Sequence, residues 1–201
     1  MHIIIDFDYT LFNTDALRQK LLHTLEPFSV KEIEYRFAER ELKVKHLYNI
    51  DHHLNMLIHG TAREQAGKIV DDALNHCADC LYADALPFLQ EAKKQRAQLT
   101  LLSFGNKQWQ KRKIDGSGIA SYFDEIVLVD TAKQKVLPHL KYIGNHDIII
   151  NDRGIEIDKM KQIFPNSKAI WLRREGSAHK NEKCLFFDKE TTSLLFQELI
   201  H

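Results

Sequence analysis

Residues 2–10 read His-Ile-Ile-Ile-Asp-Phe-Asp-Tyr-Thr, three isoleucines in a row followed at once by two aspartates that stand two positions apart. An unbroken β-branched run suits a strand that is buried on both faces, which is typical of parallel sheets flanked by helices. The same pattern recurs at Ile148-Ile149-Ile150, again directly before polar residues. The sequence therefore predicts an α/β protein whose central strands end in polar, chemically active side chains.

Predicted strands and helices alternate along most of the chain. Short β-branched runs predict strands at residues 2–7, 99–104, 125–130, 147–151 and 168–172, with a weaker one at 184–187. Helical patterns lie between or after them, at residues 84–96, 106–114, 131–143, 155–164 and 190–200. Alternation of this kind favours an open, Rossmann-like parallel sheet with helices on both sides.

One segment lacks this alternation. About seventy residues after the first strand hold no convincing strand, far more than a compact domain tolerates as a structureless loop. Apolar residues recur there at helical spacing, as in the sets Leu17, Leu21, Leu25 and Leu47, Leu54, Ile58. We therefore predict a small α-helical cap lobe over residues 14–83, inserted into a core domain formed by residues 1–13 and 84–201.

The composition limits the class of protein. Basic and acidic residues number 28 each, so the formal net charge is zero, which removes the main reason to propose a nucleic-acid partner. No apolar run is long enough for a signal peptide or a membrane span. Three cysteines cannot form a complete set of disulfides, so we expect a reduced, cytoplasmic protein with no membrane attachment.

Polar side chains stand where four of the predicted strands end: Asp6 and Asp8, then Ser103, then Lys133, then Asp152. Open α/β sheets bind ligands in the crevice outside the carboxyl ends of their strands. Three carboxylates form a hard oxygen site, which suits Mg²⁺. Substrate phosphate commonly completes the coordination shell of this ion. One carboxylate could attack phosphorus while a second moves the proton. A lysine and a hydroxyl would hold the phosphate oxygens.

A plainer interpretation of Asp6 and Asp8 competes with this one, because aspartate is common at the ends of strands and helices. Strand alternation would place both side chains on the same side. Burying two like charges directly after an isoleucine triplet is costly unless a cation is present. Agreement with three other strand ends therefore favours a functional site over simple capping.

These residues resemble the sequence motifs of the haloacid dehalogenase-like superfamily. The run Asp6-Phe-Asp8-Tyr-Thr10 resembles the first motif, Asp-x-Asp-x-Thr. The apolar strand that ends in Ser103 resembles the second motif, and Asp152 with Glu156, four residues apart, resembles the fourth. The resemblance covers residues 1–13 and 84–201, and the helical segment between them stands at the family's cap position.

The resemblance implies a role for each matched residue. Asp6 would be the nucleophile, Asp8 the general acid and base, and Ser103 a ligand of the transferring phosphoryl group. Asp6, the main-chain carbonyl of Asp8 and Asp152 would bind Mg²⁺. Glu156 would stabilise those ligands without touching the metal, or would itself be an alternative acidic ligand of the metal.

The lysine of the third motif has two candidates, Lys133 and Lys135, which both follow the third predicted strand. Lys133 is closer to the strand end, and it fits a helix on which Leu137 and Leu140 face inward. We prefer Lys133 and leave Lys135 open, since the Lys-Pro pair frequent in the family is absent.

Three further residues are candidates for substrate binding. Thr10 could orient Asp8 or its loop through the hydroxyl group, and Gly105 and Asn106 directly follow the second strand.

Two other features are given plainer interpretations. His76, Cys77 and Cys80 could form half of a metal site, but no second pair of ligands stands at a comparable interval, so small buried thiols at a helix end are preferred. Arg173 and Arg174 follow the fifth strand and are predicted to lie in a solvated turn.

Together these features predict a Mg²⁺-dependent phosphatase that hydrolyses a small phosphomonoester through an aspartyl-phosphate, with the cap closing over substrate. The acid at position 8 favours phosphatases over the dehalogenase branch, which has no alkoxide leaving group to protonate. A phosphotransferase or phosphomutase would use the same residues, and a non-catalytic binding module on the same fold is a further alternative. The sequence predicts neither the identity of the substrate nor the oligomeric state.

Overall fold

The structure is a computed structural model that describes residues 1–44, 48–140 and 147–200. The chain forms two compact units. The sheet unit consists of Met1–Asn13, Leu81–Gly105 and Ile119–His201, and the helical unit consists of Thr14–Cys80 and Asn106–Gly118. The helical unit thus includes residues 106–118, which the sequence assigned to the core.

The sheet unit is built on six parallel strands in the order β3-β2-β1-β4-β5-β6. The strands are β1 His2–Ile5, β2 Gln98–Phe104, β3 Glu125–Val129, β4 Ile148–Asn151, β5 Lys168–Leu172 and β6 Lys189–Thr191. β1 lies at the centre, with Ile5 in register with Leu101 of β2 and Ile150 of β4. Both β1 and β4 are buried along their whole length, as their isoleucine triplets require. The predicted parallel α/β sheet is confirmed.

In the described residues this unit has three α-helices: α5 Ala85–Lys94, α7 Gly154–Ile163 and α8 Phe196–Ile200. One apolar cluster joins Ile4, Leu102 and Ile149 of the strands to Met160 of α7 and to Leu137. The predicted helix over residues 190–200 is wrong in its first half, because residues 189–191 form the edge strand β6 and α8 begins only at Phe196.

Two other predicted elements are wrong. Residues 131–140 form two short 3₁₀ turns, Lys133–Lys135 and Leu137–His139, rather than a helix; Pro138 lacks the N–H that an α-helix needs in its interior, and residues 141–143 lie outside the described chain. Residues 184–187 form no strand. Both Leu185 N and Phe186 N donate to Asp158 Oδ1 at 2.8 Å, so a side chain takes the place of a neighbouring strand.

The helical unit contains α1 Thr14–Thr24, α2 Glu32–Val44, α3 Ile50–Leu57, α4 Thr61–Asn75 and α6 Lys107–Gly116, and a 3₁₀ turn at Ala78–Cys80. The predicted apolar face of α1 is buried at Leu17 and Leu21, and Leu54 is buried in α3. Leu47 of the same predicted set lies outside the described residues. No helix in the described ranges is long and apolar enough to cross a membrane.

The contact between α4 and α6 depends on a glycine. A Cβ at Gly116 would lie 1.8 Å from the main-chain oxygen of Leu74, and Cys77 N donates to Gly116 O at 3.1 Å. The two helices therefore approach at backbone distance, which a side chain at position 116 would prevent.

We expect Gly116→Ala to lower the free energy of unfolding by about 1–3 kcal/mol, because the backbone of α4 or α6 must shift to admit the methyl group. Gly67→Ala is the matched control. A Cβ there meets only the end of the Arg63 side chain, at 2.9 Å, so an alanine in the middle of α4 should be neutral or stabilising by up to about 1 kcal/mol. Urea unfolding of both variants checks this, and equal stabilities would contradict the close approach.

His53 makes the stability of the helical unit depend on pH. Its ring is fully buried, Nε2 donates to Tyr35 O at 2.9 Å, and Nδ1 has no hydrogen-bond partner in the described chain. Burial lowers the pKa of His53 below its usual value. The folded state therefore favours the neutral ring, and the unfolded chain takes up the proton first as the pH falls below about 6.5.

We therefore expect the melting temperature of the wild type to fall when the pH is lowered from 7.5 to 5.5. His53→Gln should show a smaller fall, because glutamine cannot take up that proton. His23→Gln, at an 82% exposed side chain, should keep the wild-type pH dependence. Thermal unfolding at the two pH values provides the measurement, and parallel curves for wild type and His53→Gln would count against the buried-histidine explanation.

Candidate active site

The turn after β1 carries the acidic pair. Asp6 is still joined to the sheet, since its N–H donates to Ile150 O at 3.0 Å. The chain then folds back, and Phe7 O accepts from Leu11 N at 2.9 Å and Phe12 N at 3.0 Å. Tyr9 has the positive φ of 55° that this reversal requires. Asp8 thus stands in a tight turn rather than on a strand, and its charge is close enough to raise the pKa of Asp6.

The lysine Lys133 lies against two carboxylates. Its Nζ is 2.6 Å from Asp6 Oδ1 and 2.7 Å from Glu156 Oε2, and the side chain is only 3% exposed. Lys135 is exposed. Although the predicted helix is absent, the contact with Asp6 favours Lys133 over Lys135 as the lysine of the site.

Glu156 is held on both sides by residues that stand shortly before it in the chain. Its Oε2 accepts from Asn151 Nδ2 at 3.0 Å, and Oε1 accepts from Arg153 at 3.2 Å. These hydrogen bonds fix the glutamate that supports Lys133.

Asp152 follows β4 and is 3% exposed. Its Oδ2 accepts from Ser177 Oγ at 2.8 Å, and its main-chain oxygen accepts from Trp171 Nε1 at 3.1 Å. Its second carboxylate oxygen, Oδ1, is buried and has no hydrogen-bond partner in the described ranges. Nothing in the sequence pattern pointed to Ser177, which lies 25 residues further along the chain.

Two hydroxyl groups share this property with Asp152. Ser103 Oγ and Thr10 Oγ1 are buried and have no hydrogen-bond partner among the described residues. Buried hydroxyl groups are almost always hydrogen-bonded, so a buried hydroxyl without a partner is a group available to a ligand. These two hydroxyl groups and Asp152 Oδ1 belong to residues predicted from the sequence to form the site, whereas other buried atoms without a partner among the described residues, such as His53 Nδ1, lie elsewhere.

The two remaining candidates for substrate binding lie at the end of β2. Gly105 has a φ of 139°, and its N–H donates to Val129 O at 2.8 Å. Asn106 begins α6 and belongs to the helical unit, where its side-chain oxygen accepts from Trp109 N at 2.9 Å. This oxygen therefore caps a helix, and the substrate contacts of both residues stay predictions.

The charges of the site are those of a cation-binding environment. Burial raises the pKa of Asp6 to about 6, against the opposing charge of Lys133. Burial also raises the pKa of Asp152 to about 8, and the charge of Asp6 adds to the rise. Burial acts likewise on Glu156, but Lys133 and the hydrogen bonds to it hold its pKa below the usual value. Burial alone would lower the pKa of Lys133, and the two acids raise it above its usual value.

Among residues 1–44, 48–140 and 147–200 no group of three or more His, Cys, Asp or Glu side chains forms a ready metal cluster. The predicted Mg²⁺ ligands need no such cluster, because Mg²⁺ is usually held by one or two carboxylates, with water and phosphate completing its shell. Asp6 and Asp152 are two buried carboxylates with raised pKa values, and Asp152 Oδ1 is without a partner. The residues present therefore fit a hard divalent cation.

The thiols of Cys77 and Cys80 do not form such a site. Both are buried, and burial raises their pKa values to about 11 and about 12, so they are not ready to act as thiolate ligands. His76 is exposed on the end of α4, where Nδ1 lies 3.0 Å from Asp72 O. This agrees with the plainer interpretation of the motif.

Arg174, predicted to lie in a solvated turn, is instead buried at 6% exposure. Its guanidinium group donates to both carboxylate oxygens of Asp84, at 2.6 and 2.7 Å. It also donates to the main-chain oxygen of Thr10, from NH2 at 3.0 Å, and lies 4.2 Å from the centre of the Tyr82 ring. Arg174 therefore fixes the far end of the turn that carries Asp6 and Asp8.

Comparison with known proteins agrees with the fold. The family model for haloacid dehalogenase-like hydrolases matches residues 3–152. A search of the curated proteins gives no match. The fold is similar to that of a haloacid dehalogenase-like hydrolase from Burkholderia xenovorans LB400, with a TM-score of 0.74, 19% identity and 96% of each chain covered.

Two other solved structures share the fold at lower identity. One is the HAD-hydrolase YfnB from Bacillus subtilis bound to magnesium, with a TM-score of 0.67, 14% identity, and coverage of 100% of this chain and 98% of that one. The other is the L-2-haloacid dehalogenase of Xanthobacter autotrophicus with chloropropionic acid covalently bound, with a TM-score of 0.62, 12% identity, and coverage of 96% and 94%. At these identities the likeness concerns the fold alone.

We expect Lys133→Met to lower the free energy of unfolding by about 3–5 kcal/mol at pH 8, because it takes the facing ammonium group away from the buried carboxylate of Asp6 and from Glu156, which keeps its contact with Arg153. The loss should be smaller at pH 5, where the acids can be protonated. Lys135→Met is the matched control, and its exposed side chain should make it nearly neutral at both pH values. Urea unfolding provides the measurement, and equal effects of the two substitutions would contradict the contact between Lys133 and the acids.

Proposed function

Because the chain belongs to the haloacid dehalogenase-like hydrolase family, we propose that it is a Mg²⁺-dependent phosphatase acting on a small phosphomonoester through an aspartyl-phosphate on Asp6. One observation carries the proposal. A buried carboxylate, Asp6, is paired with a buried lysine in the same unit that holds Ser103 Oγ and Asp152 Oδ1, two buried atoms without a hydrogen-bond partner among the described residues. Phosphoryl transfer needs a nucleophile, a counter-charge, a group that donates a hydrogen bond to the phosphate, and a metal ligand.

In the first step a carboxylate oxygen of Asp6 attacks phosphorus, and the bond from phosphorus to the leaving oxygen breaks. Asp8 gives its proton to that leaving oxygen. In the second step Asp8 takes a proton from water, the water oxygen attacks phosphorus, and the bond to Asp6 breaks. Asp8 gives up one proton in the first step and takes one up in the second, so the same carboxyl group acts first as the acid and then as the base.

The other residues hold the transferring group. Ser103 Oγ would donate a hydrogen bond to a phosphoryl oxygen, and Lys133 would balance the negative charge of the Asp6 carboxylate before attack and that of the phosphoryl oxygens during transfer. Lys133 is fixed for this task by Glu156, which is in turn fixed by Asn151 and Arg153.

Asp6, the carbonyl of Asp8 and Asp152 would hold Mg²⁺, which when bound draws negative charge from the phosphate oxygens. The chain's own residues orient the Asp152 carboxylate through the hydrogen bond from Ser177. The raised pKa of Asp152 means that a cation is needed to keep this buried carboxylate charged near neutral pH.

Asp8 favours a phosphatase over a haloacid dehalogenase, although dehalogenases share the fold. A halide leaves without taking up a proton, so a dehalogenase has no need of a general acid beside its nucleophile. An alkoxide leaving from phosphorus is strongly basic and gains most from a proton donor. A phosphotransferase or phosphomutase would use the same first step and replace water by a hydroxyl group of an acceptor.

We expect purified protein to hydrolyse p-nitrophenyl phosphate with Mg²⁺, and Asp6→Asn to lower kcat by roughly 10³-fold or more, as loss of a nucleophile does. Asp8→Asn should slow hydrolysis of an alkyl phosphate far more than that of p-nitrophenyl phosphate, whose acidic leaving group needs little protonation. Asp115→Asn, at an exposed aspartate paired with Lys111, is the control and should behave as wild type.

The same preparations separate the alternatives. Chloride release from L-2-chloropropionate without phosphate release would reject the phosphatase in favour of a dehalogenase. Phosphate transfer to an added sugar alcohol in preference to water would indicate a phosphotransferase. If wild type turns over no member of a broad phosphoester panel and Asp6→Asn is indistinguishable from it, the phosphatase proposal is rejected. The non-catalytic binding module is then the remaining alternative.

A further inference from the structure

The loop between β5 and β6 brings one buried hydroxyl group to the site. Ser177 is 3% exposed, and its Oγ lies 2.8 Å from Asp152 Oδ2 and 3.0 Å from His179 N. The N–H of His179 can only donate, so Ser177 Oγ accepts from it. The single hydroxyl proton is thereby free to point at Asp152, which makes the serine a directed donor.

This hydrogen bond selects which oxygen of Asp152 faces a ligand. Oδ2 is occupied by Ser177, and the main-chain oxygen is occupied by Trp171 Nε1. The carboxylate cannot rotate about its terminal bond without breaking the contact with Ser177. Oδ1 remains as the one buried oxygen of this side chain without a partner in the described ranges, so a cation would be bound through a single, fixed oxygen.

The loop that presents Ser177 is itself fixed at both ends. On one side Ser177 N donates to Arg174 O at 3.2 Å, and the Arg174 guanidinium group is held by Asp84 and Thr10. On the other side Glu182 accepts from Arg153 at 3.1 Å. The position of the serine is thus set by the same arginine that holds the Asp6–Asp8 turn and by Arg153, which directly precedes α7.

We infer that Ser177 is a positioning residue for the metal site, acting through Asp152 to hold Oδ1 in the direction that a divalent cation requires. The inference rests on the proposed function, because it assigns Asp152 as a metal ligand. Hydrogen bonds of this kind behind a metal ligand typically account for 10–100-fold in affinity. Ser177 touches neither substrate nor phosphate in this assignment, so its effect should be confined to the metal.

The test is calorimetric titration of the full chain with Mg²⁺ in the absence of substrate. We expect Ser177→Ala to weaken Mg²⁺ binding by roughly 10-fold or more. Ser177→Cys keeps the size of the side chain but donates weakly, so it should lose nearly as much affinity and show that the donor, rather than a cavity, is responsible. It also carries the test if the alanine variant does not fold.

Ser167→Ala is the matched control. Ser167 is buried to a similar degree in the same unit, at 4% exposure, and its hydroxyl group donates to Phe164 O at 2.7 Å. It should bind Mg²⁺ as wild type does. In activity assays with p-nitrophenyl phosphate, Ser177→Ala should need roughly 10-fold more Mg²⁺ for half-maximal rate. Its kcat at saturating Mg²⁺ and its KM for the ester should change little.

Wild-type affinity for Mg²⁺ in Ser177→Ala and Ser177→Cys would overturn the inference, as would an equal loss in Ser167→Ala. If wild type hydrolyses phosphate esters with Mg²⁺ and these variants bind Mg²⁺ unchanged, only the role of Ser177 fails. If wild type neither binds Mg²⁺ nor hydrolyses any ester, the proposed function fails and the role of Ser177 fails with it.

Discussion

The ammonium group of Lys133, held between the carboxylates of Asp6 and Glu156, is the interaction on which the site depends. Each of these three groups would be costly to bury alone. The ammonium group lowers that cost for both carboxylates, and the carboxylates lower it for the ammonium group. The three come from different segments, since Asp6 follows β1, Lys133 follows β3, and Glu156 lies in α7. The contact therefore ties the ends of three segments together, and it keeps Asp6 charged in a place that excludes water.

Much of this could be predicted from sequence because of the geometry of parallel sheets. Isoleucine triplets that must be buried on both faces leave little freedom of register, and the carboxyl ends of neighbouring strands then meet at one edge. Asp6, Ser103 and Asp152 could be placed at that edge from their strands alone. The wrong predictions lie where the spacing of apolar residues and the hydrogen bonding of the backbone favour different structures. Leucines at helical spacing did not outweigh Pro138, and an apolar run at residues 184–187 did not make a strand.

The parts of the site that sequence missed are hydrogen bonds between residues far apart in the chain. Arg174 and Asp84 are 90 positions apart, and no periodicity connects them. An arginine pair after a strand is more often solvated than buried. Arg174 departs from this expectation because its guanidinium group is bound by both carboxylate oxygens of Asp84 and by the main-chain oxygen of Thr10. Ser177 is similar, because a serine in a loop carries no signal until the fold brings an aspartate against it.

The approach of α4 and α6 at Gly116 has a consequence for how this architecture could be rearranged. The helical unit is made from two separate stretches, Thr14–Cys80 and Asn106–Gly118, so it is not a single cassette. Moving residues 14–80 alone into another scaffold would separate α4 from α6 and leave behind α6 residues that are buried in this chain, Ile114 among them. Exchange of this unit between relatives therefore requires matched changes at two sites in the gene, the second of them directly after the strand that carries Ser103.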